Sequence, residues 1–152
     1  ISWGYQSETP SHSQFIDYHQ LQGTRDIAAF LTIPKAMEFR KTFDWENRSK
    51  QARKISQANY TRFAEVTNGQ ILCPVSDDFL GQMCSLRINC PDFEKLGSLL
   101  YSKYRIEIPV FKHGEHVYIR YSFQSYNTQE ELNTLFAALD EIRSSTDLLG
   151  AA

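Results

Sequence analysis

The sequence has few of the features that mark a disulfide-rich, membrane-bound or nucleic-acid-binding protein. Its 152 residues include three cysteines, an odd number without a CxxC pair, so a disulfide framework is not expected and a reducing cytoplasm is predicted. No apolar run is close in length to the roughly 20 residues that a helix needs to cross a bilayer. The 16 basic and 18 acidic side chains nearly balance, so we expect no nucleic-acid partner and no membrane.

The common catalytic signatures are also missing. The sequence contains no GxGxxG, GxxxxGK[ST], HExxH or GxSxG motif. His113 and His116 are spaced like metal ligands, but they flank Gly114 in an apparent turn, and no metal site is predicted. The acidic pairs at 77–78 and 130–131 are neighbours in sequence, so their side chains point in different directions and do not form an acid–base pair.

The first half of the chain has a helical pattern. Residues 4–23 are expected to be irregular, because glycine, proline and serine interrupt them. Apolar residues then recur at helical spacing from Asp26, a capping residue, until Pro34 interrupts or restarts the helix. A second helix is predicted over residues 44–68, with Gly69 as its C-terminal stop.

The second half alternates between strand and helix patterns. Apolar residues alternate with polar ones at three places, which predicts strands over residues 84–88, 106–110 and 117–123. Pro91 begins a predicted helix after the first strand, and a turn at Gly114 joins the other two as a hairpin. Thr128 and Glu131 form a capping box for the last helix.

This order of elements predicts an α/β protein of the α+β kind. Two long helices precede a strand–helix–strand–strand–helix unit. A small, mostly antiparallel sheet covered by helices on one face fits that order.

Two polar features are candidates for binding an anion. In Gln22-Gly23-Thr24-Arg25-Asp26, a hydroxyl and backbone donors precede a helix, which suits a phosphate or a carboxylate. The alternative is an ordinary glycine turn with an aspartate cap. Arg120 lies on the polar face of a strand, where a rigid guanidinium can hold a carboxylate through two parallel hydrogen bonds. The alternative there is a plain surface arginine.

Short segments near both ends of the chain form a recognisable set. Those near the start are Ser2-Trp3-Gly4, Asp17-Tyr18-His19, the segment 22–26, Ala29-Phe30-Leu31 and Pro34. Those near the end are Tyr118-Ile119-Arg120-Tyr121-Ser122, Tyr126-Asn127-Thr128 and Glu130-Glu131. Together and in this order they resemble the class V aminotransferase family, in particular its isopenicillin N epimerase-like branch.

The resemblance implies a fold-type I enzyme that depends on pyridoxal 5'-phosphate (PLP). It implies that Gly23 and Thr24 contact the PLP phosphate, typically from the neighbouring subunit of a homodimer, with Arg25 beside them as a further cofactor-binding residue. It implies that Arg120 holds the α-carboxylate of an amino-acid or peptide substrate.

The resemblance also requires a lysine that forms a Schiff base with PLP. None of the seven lysines lies in a matching segment; they are Lys35, Lys41, Lys50, Lys54, Lys95, Lys103 and Lys112. No catalytic residue is therefore predicted in this chain. Residues 1–43, with the phosphate-contact loop at 22–26, are expected to link from a large PLP-binding domain, and residues 44–152 to form the C-terminal small domain. We expect such a portion to be inactive alone and to expose apolar surface.

The reaction is expected at the α-carbon of an amino acid or short peptide. Cysteine desulfurases of the family carry a nucleophilic cysteine between the last two strands, but residues 111–115 contain none, and Cys73, Cys84 and Cys90 all precede them. Formation of a protein persulfide is therefore disfavoured. Epimerisation and a PLP-dependent C–S lyase reaction both stay open, as does a stand-alone α+β ligand-binding module without catalysis.

Overall fold

The chain divides into two compact units, residues 1–43 and 44–152. The computed structural model describes residues 12–20, 24 and 26–150. Within these ranges, every helix is too short or too polar to cross a membrane.

The first unit contains a helix that the sequence did not predict. Helix α1 spans Gln14–Gln20, inside the segment expected to be irregular. The residue before it explains the difference, because the Ser13 hydroxyl accepts the Ile16 N–H at 3.4 Å and the Ser13 carbonyl accepts the Asp17 N–H at 3.0 Å. A serine cap therefore starts a short helix within a turn-rich segment.

Pro34 divides the next helical segment as predicted. Helix α2 spans Ala28–Leu31 and helix α3 spans Ile33–Thr42, with the proline in the first turn of α3. Proline lacks a backbone donor, and in the first helical turn that donor would have no partner in any case. Asp26 caps α2 from just outside it, because its carboxylate accepts the Ala28 N–H at 2.8 Å.

The second unit opens with the longest helix of the described residues. Helix α4 spans Trp45–Thr67, which confirms the predicted helix over residues 44–68. The predicted stop is off by one residue. Asn68, at φ 50°, adopts the left-handed conformation that ends the helix, and Gly69 instead donates its N–H to the Ala64 carbonyl at 2.9 Å.

Four antiparallel strands form the sheet, in the order β1-β2-β4-β3. They are β1 (Gln70–Ile71), β2 (Met83–Ile88), β3 (Val110–His113) and β4 (His116–Ser122). The hairpin is confirmed, with Gly114 at φ 58° in its turn. The predicted strand over residues 106–110 is wrong except at Val110, because β3 spans Val110–His113 and Pro109, just before it, has no N–H for the ladder. β1 was not predicted, since two residues are too few to show alternation.

Two further helices complete the second unit. Helix α5 spans Phe93–Tyr104 and helix α6 spans Gln129–Ser145. The predicted role of Pro91 is wrong, because Asp92 caps α5 and the proline precedes that cap. The capping box at the start of α6 is confirmed. Thr128 accepts the Glu131 N–H at 3.3 Å, and the Glu131 carboxylate accepts the Thr128 N–H at 2.9 Å.

The core lies on one face of the sheet, between the strands and the helices. From β2 and β4 it takes Cys84, Leu86, Ile119 and Tyr121, and from the helices it takes Phe63, Leu96, Leu100, Leu135, Phe136 and Leu139. The opposite face, here called the open sheet face, has no buried residue; it consists of Gln70, Met83, Ser85, Arg87, Phe111, His113, His116, Tyr118, Arg120 and Ser122. Helices on one face are therefore confirmed.

Candidate functional site

Arg120 lies near the middle of the open sheet face. It belongs to β4, which is hydrogen-bonded to β2 on one side and β3 on the other, and its partner across the ladder to β2 is Ser85. The half-buried Arg120 side chain places its guanidinium carbon 5.9 Å from the centroid of the Phe111 ring. No ion pair in the described part of the chain includes this guanidinium. Its donors are therefore open to a ligand, and they are held on a rigid strand.

An aromatic pair flanks the arginine on the same face. The rings of Phe111 and Tyr118 stack at 5.7 Å between centroids with an interplanar angle of 23°. These residues face each other across the β3–β4 ladder, so strand pairing fixes their contact. They give the area around Arg120 an apolar wall, against which the carbon skeleton of a ligand can pack.

Buried hydrogen bonds hold the strands beneath the arginine. The Tyr60 hydroxyl donates to the Ser85 carbonyl, at the position opposite Arg120. On the neighbouring position of β4, the Tyr121 hydroxyl donates to the Ser56 carbonyl at 3.2 Å. These bonds join both central strands to α4, so the backbone under Arg120 has little freedom to move.

The groups in this buried layer stay neutral at ordinary pH. Burial raises the pKa of the Cys84 thiol to about 11, and its S–H points to the Ser56 carbonyl at 3.7 Å. Burial also raises the pKa of both the Tyr60 and the Tyr121 hydroxyl. The positive charge of Arg120 is therefore not offset by an anion from beneath the sheet.

The predicted phosphate-contact loop is described only in part. Gly23 and Arg25 lie outside the described residues, while Thr24 is exposed. α2 has only four residues, and its first N–H is bonded to Asp26. The free helix-start donors expected from the sequence are therefore reduced, and Thr24 is the one predicted phosphate-contact residue that the structure describes. Thr24 belongs to the first unit and Arg120 to the second.

The cysteines and lysines occupy the positions expected of structural and surface residues. Cys84 and Cys90 are buried and Cys73 is half-buried, and all three are free thiols. Cys84 and Cys90 thus behave as small buried apolar residues. All seven lysines are exposed, and three of them pair with nearby carboxylates. Among the described residues, no three metal-ligating side chains converge.

Comparison with known proteins identifies the family. Residues 8–135 match the family model described as aminotransferase class-V. This range contains all the segments on which the resemblance rests, apart from Ser2-Trp3-Gly4. The chain belongs to the class V aminotransferase family. The enzymes of this family depend on PLP, and the resemblance stated from the sequence is confirmed.

Two curated relatives in this family share the name isopenicillin N epimerase. The chain is 26% identical to the one from Amycolatopsis lactamdurans over 93% of its own length and 38% of the relative's. It is 27% identical to the one from Streptomyces clavuligerus over 81% of its own length and 31% of the relative's. The chain thus spans less than two fifths of either relative.

A solved structure supports the fold class. The chain resembles 8-amino-7-oxononanoate synthase from Francisella tularensis with a TM-score of 0.58 and 12% identity. The match covers 84% of this chain and 35% of that one. At this identity the likeness concerns the fold alone. It is the fold of a type I PLP enzyme, which confirms the predicted α/β architecture with a small antiparallel sheet.

One residue of this class V chain was missed by the sequence analysis. Arg87 lies on the open sheet face, where it faces Tyr118 across the β2–β4 ladder. The signal was present in part, because Arg87 alternates with the buried Leu86 and Ile88. The sequence alone does not predict the pairing register that puts Arg87 beside Arg120.

Proposed function

We propose that this chain is the C-terminal portion of a PLP-dependent, isopenicillin N epimerase-like enzyme that acts at the α-carbon of an amino acid or short peptide. The observation that carries the proposal is Arg120, an unpaired guanidinium on a rigid, open sheet face in a chain of the class V family. The isopenicillin N epimerase relatives, of which the chain spans 38% and 31%, support the branch and a longer parent protein.

The described residues fit this role in two places. The exposed Thr24 hydroxyl is available to a phosphate, and we propose that Gly23, Thr24 and Arg25 hold that of PLP. Arg120 would hold the substrate α-carboxylate by two hydrogen bonds and so orient the bonds of the α-carbon. When bound, PLP supplies an electron sink for the bond that breaks. No lysine of the chain suits the Schiff base, because all seven are exposed, so we assign it to the remainder of the longer protein.

The partners follow from the same proposal. A large N-terminal domain would supply the remaining cofactor contacts, and a homodimer would complete each site across its interface. The three free thiols favour a reducing compartment, the cytoplasm.

Two other functions are weighed against this one. A PLP-dependent C–S lyase that uses no protein thiol would need the same Arg120, and the cysteine-free hairpin turn favours it over a cysteine desulfurase. A stand-alone ligand-binding module is favoured by the second unit, which has a hydrophobic core of its own.

The test uses the full-length protein that contains this chain. We expect a PLP absorbance band, and reduction with sodium borohydride should shift it to shorter wavelength and fix the cofactor to the protein through a stable secondary amine. Replacing a charge-assisted pair costs about 1.5–3 kcal/mol, so Arg120→Gln should lower kcat/KM about 10- to 100-fold, chiefly through KM. The kcat/KM of Arg120→Lys should lie between those of the wild type and Arg120→Gln, because lysine keeps the positive charge but lacks the planar fork of the guanidinium.

The matched control is Arg53→Gln. Arg53 is an exposed arginine of α4 that donates to the Asp77 carbonyl at 3.4 Å, away from the open sheet face, and the variant should keep the wild-type kinetics. Unchanged KM and kcat in Arg120→Gln would show that this guanidinium does not hold the carboxylate. A full-length protein without a PLP band would favour the ligand-binding module.

A further inference from the structure

We propose that Arg87 forms a second anion subsite beside Arg120, so that the substrate is dianionic: an amino acid or short peptide whose far end carries a second carboxylate. The inference rests on the proposed function for the role of Arg120. It adds the substrate class and a specificity-determining residue.

The strand register places the two arginines side by side. Ser85 faces Arg120, and Arg87 faces Tyr118, one pair further along the same ladder. Arg87 and Arg120 are thus diagonal neighbours on one face, where such positions lie about 7–8 Å apart. Strand side chains stand roughly perpendicular to the sheet, so both guanidinium groups project from the same side. A ligand with two carboxylates can therefore meet both arginines without a change in the fold.

The charges on this face lack internal compensation. Neither arginine has an ion pair or a side-chain hydrogen bond with any described residue. The strand positions of the open sheet face include no aspartate or glutamate. Two like charges at diagonal positions about 7–8 Å apart repel each other unless a counter-charge lies between them. A dianionic ligand would supply that counter-charge.

A cavity with both polar and apolar lining adjoins Arg87. Its volume is about 440 Å³, within the range of small-molecule sites. Its polar lining residues include Arg87, Gln70, His116, Asn68 and Asn89, and the apolar residues Ile88, Cys90 and Val117 line it as well. Guanidinium and amide groups are donors suited to a carboxylate.

The cavity also has a carboxylate of its own. Glu115, from the hairpin turn, is the one acidic side chain among the described residues that line it. We therefore assign the second anion to Arg87 itself, at the side of the cavity towards Arg120, and not to the turn. The aromatic pair of Phe111 and Tyr118 lies next to both arginines, and its rings can pack against the carbon chain that joins the two carboxylates.

The test is a binding measurement on the 152-residue chain, in which one unit contains both arginines. The probes are glutarate and adipate, with butyrate and hexanoate as monocarboxylates of similar length. Side-chain N–H resonances are followed by NMR, and the Arg87 and Arg120 signals are assigned as those that disappear in Arg87→Gln and Arg120→Gln. We expect both to shift with a dicarboxylate, which should bind at least fivefold more tightly than its monocarboxylate.

Variants separate this inference from the proposed function. Arg87→Gln should remove the tighter binding of the dicarboxylate, while butyrate still shifts the Arg120 signal. Arg87→Lys should keep part of the dicarboxylate advantage, and Arg53→Gln should leave all affinities unchanged. If the Arg87 signal does not move with either dicarboxylate, or Arg87→Gln keeps the advantage, the inference is overturned, whatever Arg120 does. If Arg87 responds and Arg120 does not, the carboxylate role in the proposed function fails, and binding of one dicarboxylate by both arginines fails with it.

Discussion

At the scale of single residues, the site depends on a buried layer that carries no charge. Tyr121 and Cys84 share one acceptor, the Ser56 carbonyl of α4, directly beneath the open sheet face. A buried carbonyl that accepts two donors is well satisfied, whereas an ionised thiolate or phenolate in the same place would lack solvation. The layer therefore works as a neutral support for a charged surface.

This arrangement predicts a loss of stability at high pH. The pKa of the Cys84 thiol is raised by burial from about 9 to about 11, so the folded state keeps a proton that the unfolded state releases in that range. The free energy of unfolding should therefore fall from pH 9 upwards, with up to about 1.4 kcal/mol per pH unit from this thiol. Above pH 10 the buried tyrosines act in the same direction.

Urea unfolding between pH 8 and 10 measures the effect. Cys84→Ala should lower the overall stability, because it empties part of the core, but its dependence on pH should be less steep than that of the wild type. Ile142→Val, at a buried core residue without an ionisable group, is the control and should keep the wild-type slope. Parallel curves for the wild type and Cys84→Ala would refute the assignment.

Sequence reasoning at this scale reached one arginine and missed the other. Arg120 could be identified because it alternates with buried residues and because the residues around it resemble a known family. Arg87 shows the same alternation, but its meaning depends on a cross-strand register between segments more than 30 residues apart. Register follows from tertiary packing, which local patterns do not encode.

At the scale of elements, the end of α4 shows how packing decides a helix stop. The sequence predicted Gly69 as the stop, since glycine most often takes the left-handed position. The structure gives that position to Asn68, a residue that also tolerates it. Gly69 serves a different purpose, because a Cβ there would lie 2.8 Å from Thr67 Oγ1 and 3.1 Å from Leu86 Cδ1. The chain turns from helix to strand in a space that admits no side chain.

Two glycine substitutions should therefore have opposite effects. Gly69→Ala should lower the free energy of unfolding by about 1–3 kcal/mol, the usual cost of overpacking, since the buried Thr67 is its nearest neighbour. Gly97→Ala, within α5, meets nothing within 4 Å and should raise stability by about 0.5–1 kcal/mol, as alanine does in a helix. Urea midpoints at one pH measure both, and equal shifts of the same sign would contradict the packing argument.

Element by element, the predictions that were right are those with local causes. The capping box of α6 and the break at Pro34 depend on neighbouring residues, and both are confirmed. The helix α1 and the two-residue strand β1 were missed, because each is too short for its periodicity to show. Their positions depend on a single serine cap and on pairing with β2.

At the scale of the whole molecule, the two units differ in what they bury. The second unit has a continuous core between sheet and helices. In the first unit, no residue of α2 or α3 is buried. Five large apolar side chains of these two helices are exposed by more than half, and they include Phe30 at 52%, Leu31 at 70% and Met37 at 57%. Exposed apolar side chains concentrated in one short segment favour association with another surface.

We therefore expect the 152-residue chain to self-associate through its first unit. Sedimentation velocity should show a mass that rises with concentration, and a hydrophobic dye should bind. The triple variant Phe30→Ser, Leu31→Ser and Met37→Ser should raise the dissociation constant more than tenfold, because each such side chain contributes about 1.5–3 kcal/mol when fully buried. The matched control replaces three exposed aromatic residues of the second unit by serine, namely Phe79, Tyr101 and Tyr126. If the control weakens association as much as the triple variant does, the first unit is not the contact surface. If the wild type is monomeric at all concentrations, the apolar side chains of the first unit do not drive association.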